Sequence, residues 1–224
     1  MITTLWILSA ALPLLVAAVL AATHRARTRR ALATASGHLN FAPLALLPAA
    51  VLTVLWPEES AHAPWLMFGT TVGFDVVSRA LTMVAIMLYA AATWAVTWRY
   101  DQRAPELVAY LLVCFVGNAG VYVAQDAVTF YASFSLMSLA AVGLVLHDRT
   151  DKAFRAARVY LILAVISEMA VLSGVLMVAE AGGFMLADAP AAVAQSPHRL
   201  SAASEALHHV RSRYSATPVA PWQW

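Results

Sequence analysis

Long apolar runs separated by short polar breaks set the outline of this chain. Residues 2–22 carry no charge. A helix rising 1.5 Å per residue needs about 20 such residues to cross a hydrocarbon core of roughly 30 Å. The run stops at His24-Arg25-Ala26-Arg27-Thr28-Arg29-Arg30, a basic cluster that cannot enter lipid cheaply. A second run, 41–56, is only about 16 residues and contains Pro43 and Pro48, which predicts a short or kinked span supported by its neighbours. Its far end is marked by Trp56-Pro57-Glu58-Glu59. The connection to Asp75, with Gly69, Gly73 and paired threonines, suits a short hairpin on the extracytoplasmic side. Residues 76–98 cross back and end at Arg99-Tyr100-Asp101-Gln102-Arg103.

Residues 107–124 and 127–146 are each long enough to span, and only Gln125-Asp126 separates them. Two spans meeting at one polar corner form a membrane hairpin. Pro105 and Glu106 suit the first turn of the fourth span, where proline needs no donor and an acid favours the helix N-terminus. The segment 147–158 is basic, and 159–178 is a sixth run. The remainder, 179–224, is rich in Gly, Ala, Pro and Ser. Within it Leu200, Ala203, Leu207, Val210 and Tyr214 repeat at three and four residues, which predicts an amphipathic surface helix over about 198–214. The expected fold is therefore an all-α integral membrane protein: a domain of about six transmembrane helices over 1–178, then an extramembrane tail with its amphipathic helix.

Composition sharpens this outline. Of 224 residues 62% are apolar and 12% charged, and the mean hydropathy is +0.72, outside the range of ordinary soluble domains. The first run lacks a basic leader and a small-residue cleavage site, so it is expected to be retained as a helix rather than removed as a signal peptide. Lys plus Arg number four in 24–30, two in 99–103 and four in 147–158 on one side, against Arg79 on the other. The positive-inside rule then places the N-terminus outside and the 147–158 loop in the cytoplasm, in a multi-pass protein of a bacterial-type inner membrane. Cys114 is the lone cysteine, which excludes a disulfide framework and a cysteine metal cluster.

Candidate chemistry is sparse. Glu168 is the one acid near the middle of a span, where an ionised side chain costs roughly 2.5–3.5 kcal/mol on insertion scales. It is read either as a protonatable relay or partner contact, or as a neutral acid bonded between helices by Ser135, Ser138 and Ser167. Asp126 is placed either to gate a proton entrance or to cap the fifth helix. Asp75 and Arg79, four apart, are expected to form a helix-end ion pair, with a place on an ion path as the alternative. Asn118 and Gln125 are amides of the kind that bond across membrane helices. His208-His209 lacks a third ligand and points its rings about 100° apart on a helix. No catalytic residue, metal site or cofactor is read, because no spaced His cluster, nucleophile elbow or phosphate loop is present, and nothing suggests nucleic acid.

Four passages carry a family resemblance: Gly73-Phe74-Asp75-Val76-Val77-Ser78-Arg79, Gly117 to Asp126, Thr129 to Val145, and Ala153 to Tyr160. In order and spacing they resemble the N-terminal part of the antiporter-like subunits shared by respiratory complex I, Mrp-type cation/proton antiporters, membrane hydrogenases and DAB inorganic-carbon uptake complexes. The resemblance implies about fourteen helices with two inverted five-helix repeats, and a proton path through a glutamate on the fifth helix and a lysine on the seventh. This chain departs from that pattern twice. Ser135 stands where the glutamate is expected, and Lys152, the only lysine, lies in a loop.

The implied role is a truncated, non-catalytic subunit of a larger proton-coupled complex. It would scaffold an ion path or complete one with a partner, with a slight lean to inorganic-carbon uptake. The alternatives are a subunit of an NADH–quinone-oxidoreductase-like or Mrp-type complex, and an autonomous homo-oligomeric transporter. The expected partners are a larger multi-span antiporter-like subunit, the missing C-terminal half among the candidates, a soluble or peripheral subunit, and the lipid bilayer.

Overall fold

A backbone crossing hydrocarbon has no water to bond, so each apolar run must close its hydrogen bonds within itself as helix. A computed structural model describes residues 2–25, 39, 41–55, 60–63, 69–98, 103–180 and 185–186. The helices are α1 (Ile2–Arg25), α2 (Leu47–Leu55, after a 3-10 segment, Ala42–Leu46), α3 (Val76–Thr97), α4 (Ala104–Val123), α5 (Ala127–Leu146) and α6 (Asp151–Glu180). Between α2 and α3 the chain forms the strands β1 (Ala61–Ala63) and β2 (Thr70–Val72). The protein is an all-α membrane protein carrying this one small antiparallel ribbon.

Five of the helices are long and apolar enough to span a bilayer, and Ala42–Leu55 is shorter. At 1.5 Å per residue, 14 residues of helix reach only ~21 Å against a core of ~30 Å. Proline sets that boundary. Pro43 opens the 3-10 segment and Pro48 opens α2, positions where the missing amide hydrogen is not needed. The last helix begins earlier than its apolar run, at Asp151, because the Thr150 hydroxyl accepts from the Ala153 amide at 3.1 Å and starts the helix inside the basic segment.

The chain divides into two compact units, Met1–Val175 and Leu176–Trp224. Of the second, 176–180 and 185–186 are described. The tail helix expected over 198–214 and most of the basic cluster at 24–30 lie outside the described residues.

In the first unit α4 is the hub, packed by α1, α3 and α5. One core cluster joins Ala17 and Leu20 of α1, Leu46 and Ala49, Ile86 of α3, and Val108, Leu112 and Phe115 of α4. A second, beside the ribbon, joins Leu52, Phe74 and Val123. Apolar side chains gain little by leaving lipid, so close helix approach depends on small residues. A Cβ on Gly117 would come 2.8 Å from both Met137 Cα and Ser133 O of α5, so only glycine lets the two backbones meet there.

Helix α6 differs from the others. Ala157 and Ala164 are buried, while Val159, Leu161, Ile162, Leu163, Val165, Ile166 and Met169 are exposed. It packs along no other described element for any length.

Candidate functional site

The polar corner between α4 and α5 is held by the β ribbon. Strand β2 pairs with β1 in the register Ala61↔Val72, His62↔Thr71, Ala63↔Thr70. Its other edge pairs with the corner through a Val72↔Ala124 bridge, a Gly73 N–H to Val123 O bond and a Gln125 N–H to Thr71 O bond, both of 3.0 Å. Gly69, at φ +101, takes the left-handed conformation that the turn into β2 requires. Asp126 completes the clamp. Its buried carboxylate accepts from the Thr129 amide at 2.8 Å, the Thr129 hydroxyl at 2.6 Å and the Thr71 amide at 2.8 Å. The group is thus the N-cap of α5 and the anchor of a strand 55 residues upstream. The Gln125 amide lies over Gly73, where a Cβ would strike its Nε2.

Asp75 is the N-cap of α3. It accepts from the Ser78 amide at 2.6 Å, and the Ser78 hydroxyl accepts from the Asp75 amide at 2.8 Å. The Ser78 hydroxyl, and then its amide, hold the Asp75 carboxyl below its ordinary value. The ion pair expected with Arg79 is replaced by this capping box: among the described residues the Asp75 carboxylate is engaged by Ser78, and the Arg79 guanidinium sits 6.0 Å over the Phe74 ring.

Asn118 belongs to a polar stripe that spacing alone did not reveal. Cys114, Asn118 and Tyr122 follow at i, i+4 and i+8 on α4, and Tyr89 of α3 meets the same helix edge-on at Phe115, with ring centroids 5.6 Å apart. Cys114 Sγ is 3.7 Å from Met137 O. Ser135 and Glu168 behave otherwise. Each has a buried oxygen, Ser135 Oγ and Glu168 Oε1, with no hydrogen-bond partner among the described residues. The serines expected to satisfy Glu168 do not reach it: the Ser167 hydroxyl turns to Ala164 O at 2.8 Å, and α5 and α6 do not pack along one another. On α6 the less exposed positions are Ala153, Ala157, Tyr160, Ala164, Glu168, Val171, Leu172, Val175, Val178 and Ala179, a stripe of three- and four-residue spacing that broadens past Glu168. Glu168 lies at its centre and not on the apolar exposed face.

The opposite end of the bundle holds a charged pair that the sequence reading missed. Arg149 takes a left-handed backbone, φ 51, just past α5 and forks onto both Glu106 oxygens at 2.8 and 3.0 Å. Arg103 donates to the carbonyls of His147 and Asp148, capping the same helix end. Among the described residues no group of His, Cys, Asp and Glu is arranged to hold a metal. His208-His209 lies outside them.

The chain's fold is similar to that of known membrane complexes. It matches a chain of the Mrp complex from Dietzia sp. DQ12-45-1b with a TM-score of 0.63 and 20% identity, over 83% of this chain and 20% of that one. It matches a chain of the membrane-bound sulfane sulfur reductase (MBS), an archaeal respiratory membrane complex, with a TM-score of 0.60 and 18% identity, over 90% and 31%. This chain therefore spans between a fifth and a third of the chains it matches. At 18–20% identity this likeness is one of fold, shared with an Mrp complex and a respiratory membrane complex. No family profile matches the sequence, and no curated protein matches it.

Proposed function

We propose that this chain is a non-catalytic, antiporter-like membrane subunit that scaffolds a larger proton-coupled complex and shares an ion path with a partner. The observation that carries the reading is a shared scaffold with unfinished chemistry inside it. Ser135 stands on α5 where a glutamate is expected, and the one mid-span carboxylate, Glu168, keeps an unbonded buried oxygen. A carrier working alone needs a continuous set of ionisable or hydrated groups, and the described spans place one carboxylate away from their ends. We place the Mrp-like and respiratory assemblies first, because both solved neighbours are of those kinds. An inorganic-carbon uptake assembly is the alternative on the same scaffold. The orientation follows from charge: Arg103, Arg149, Lys152, Arg155 and Arg158 would face the cytoplasm of a bacterial-type inner membrane, with the ribbon and the N-terminus outside.

The test is isolation in mild detergent. The chain is expected to co-purify with a larger multi-span protein and a soluble or peripheral subunit. A stable homo-oligomer or monomer that moves protons unaided in liposomes would overturn the proposal and favour an autonomous transporter.

A further inference from the structure

At the ribbon end of the first unit, α1, α2, the ribbon, α3, α4 and α5 surround a cavity of about 450 Å³. Its depth is nearly the same on three helices, from Trp6 to Leu14 on α1, from Val123 to Phe115 on α4 and, one residue shorter, from Thr129 to Leu136 on α5. Eight residues of helix at 1.5 Å each give ~12 Å, close to one leaflet of a ~30 Å core. Six hydroxyl side chains line it, Thr70 and Ser133 among them, and the other four are already spent. Ser9 donates to Trp6 O at 2.8 Å, Thr53 to Ala49 O at 2.7 Å, Thr82 to Ser78 O at 2.7 Å and Thr129 to the Asp126 carboxylate at 2.6 Å. A resident water needs two to four polar partners, and these bonds leave it none of those four protons in a lining that is otherwise, apart from Thr70 and Ser133, apolar. An empty space of this size strips its lining of dispersion contacts, so an apolar occupant is strongly favoured over none. The volume lies within the ~300–1,000 Å³ usual for small-molecule sites.

We propose that this cavity binds a single hydrocarbon chain entering from the leaflet on the ribbon side, either a phospholipid acyl chain or the polyprenyl tail of a membrane isoprenoid. The proposal is independent of which complex the chain joins. It also assigns this part of the bundle to dry packing rather than to the ion path.

The test uses the full chain in its native assembly, purified in mild detergent and examined by native mass spectrometry, with solvent extraction of whatever is bound. One retained lipid per chain is expected, and its mass and extract distinguish a phospholipid from a polyprenyl lipid. Ala119→Phe, on the cavity wall, should lower the retained lipid at least tenfold. Gly174→Phe on α6, where a Cβ meets nothing within 4 Å, should leave it unchanged. If Ala119→Phe fails to assemble, Ala10→Leu on the facing wall gives the same readout with a smaller insertion. Absence of any retained lipid, or equal retention in the filled variants, would overturn the proposal.

Discussion

The helices of the α4–α5 corner and α6 are all apolar enough to span a bilayer, yet they solve the membrane's demand for satisfied polar groups in opposite ways. At the corner every acceptor of consequence is met inside the chain: Asp126 has three donors, Gln125 and Gly73 pair with backbone, and Gly117 brings two helices into contact. Along α6 the helix touches the rest of the first unit lightly, and its one carboxylate keeps an unbonded oxygen. The corner is closed by its own groups, whereas α6 leaves its apolar face and its carboxyl unengaged among the described residues. In lipid an apolar face costs nothing to leave bare, so only the polar residues and glycines reveal which surfaces are complete.

The sharpest way to break this contrast is at Asp126. Asp126→Ala removes the cap of α5 and leaves two amides and one hydroxyl without their acceptor, at a cost of about 2–4 kcal/mol. Thermal unfolding in detergent should show a large loss of stability, with Asp126→Asn intermediate because its side-chain oxygen still accepts. An unchanged melting curve for the alanine variant would show that the ribbon does not hold the corner.

The glycines sharpen the same contrast at smaller scale. Gly117→Ala drives a methyl into the α5 backbone, which cannot yield as a side-chain tip would, and is expected to cost about 1–3 kcal/mol. Gly174→Ala meets open space and should stay within about 1 kcal/mol of the parent, on the stabilising side. Equal melting temperatures for the two variants would mean that α4 and α5 are not in close contact.

How much of this was legible in the sequence depended on range. Apolar runs and their basic or proline breaks carry the spans, because length and composition alone decide whether a segment can sit in hydrocarbon. The corner at Gln125-Asp126 is visible for the same reason. The second partner of Asp126 is not, because Thr71 lies 55 residues away and a backbone amide leaves no mark on the sequence. Asp75 shows a competition between two local rules. The four-residue spacing to Arg79 suggests an ion pair, but Ser78 at the third helical position offers a capping box, and that bond wins. The placement of α6 was illegible because its apolar residues run all round the helix, leaving periodicity no face to find. Tyr89 leaves no local mark because the ring it meets, Phe115, belongs to another helix.

The smallest expected effect is the most informative about α6. Glu168→Gln keeps the size and one acceptor of the side chain but removes the titrating proton. In the isolated chain Oε1 has no hydrogen-bond partner among the described residues, so the change should leave the melting temperature within experimental error. In the assembled complex the two roles of Glu168 diverge. If a partner helix donates to this carboxyl, the amide still accepts that bond, and assembly and proton-dependent activity should both survive. Glu168→Ala should then weaken assembly, at about 1–3 kcal/mol for the donor left unpaired. We expect that structural outcome, because Ser135 supplies no second titrating group on α5 to relay a proton onward. An intact Gln variant with its proton-coupled activity abolished would reverse it, and would draw the ion path through the α6 stripe into the partner.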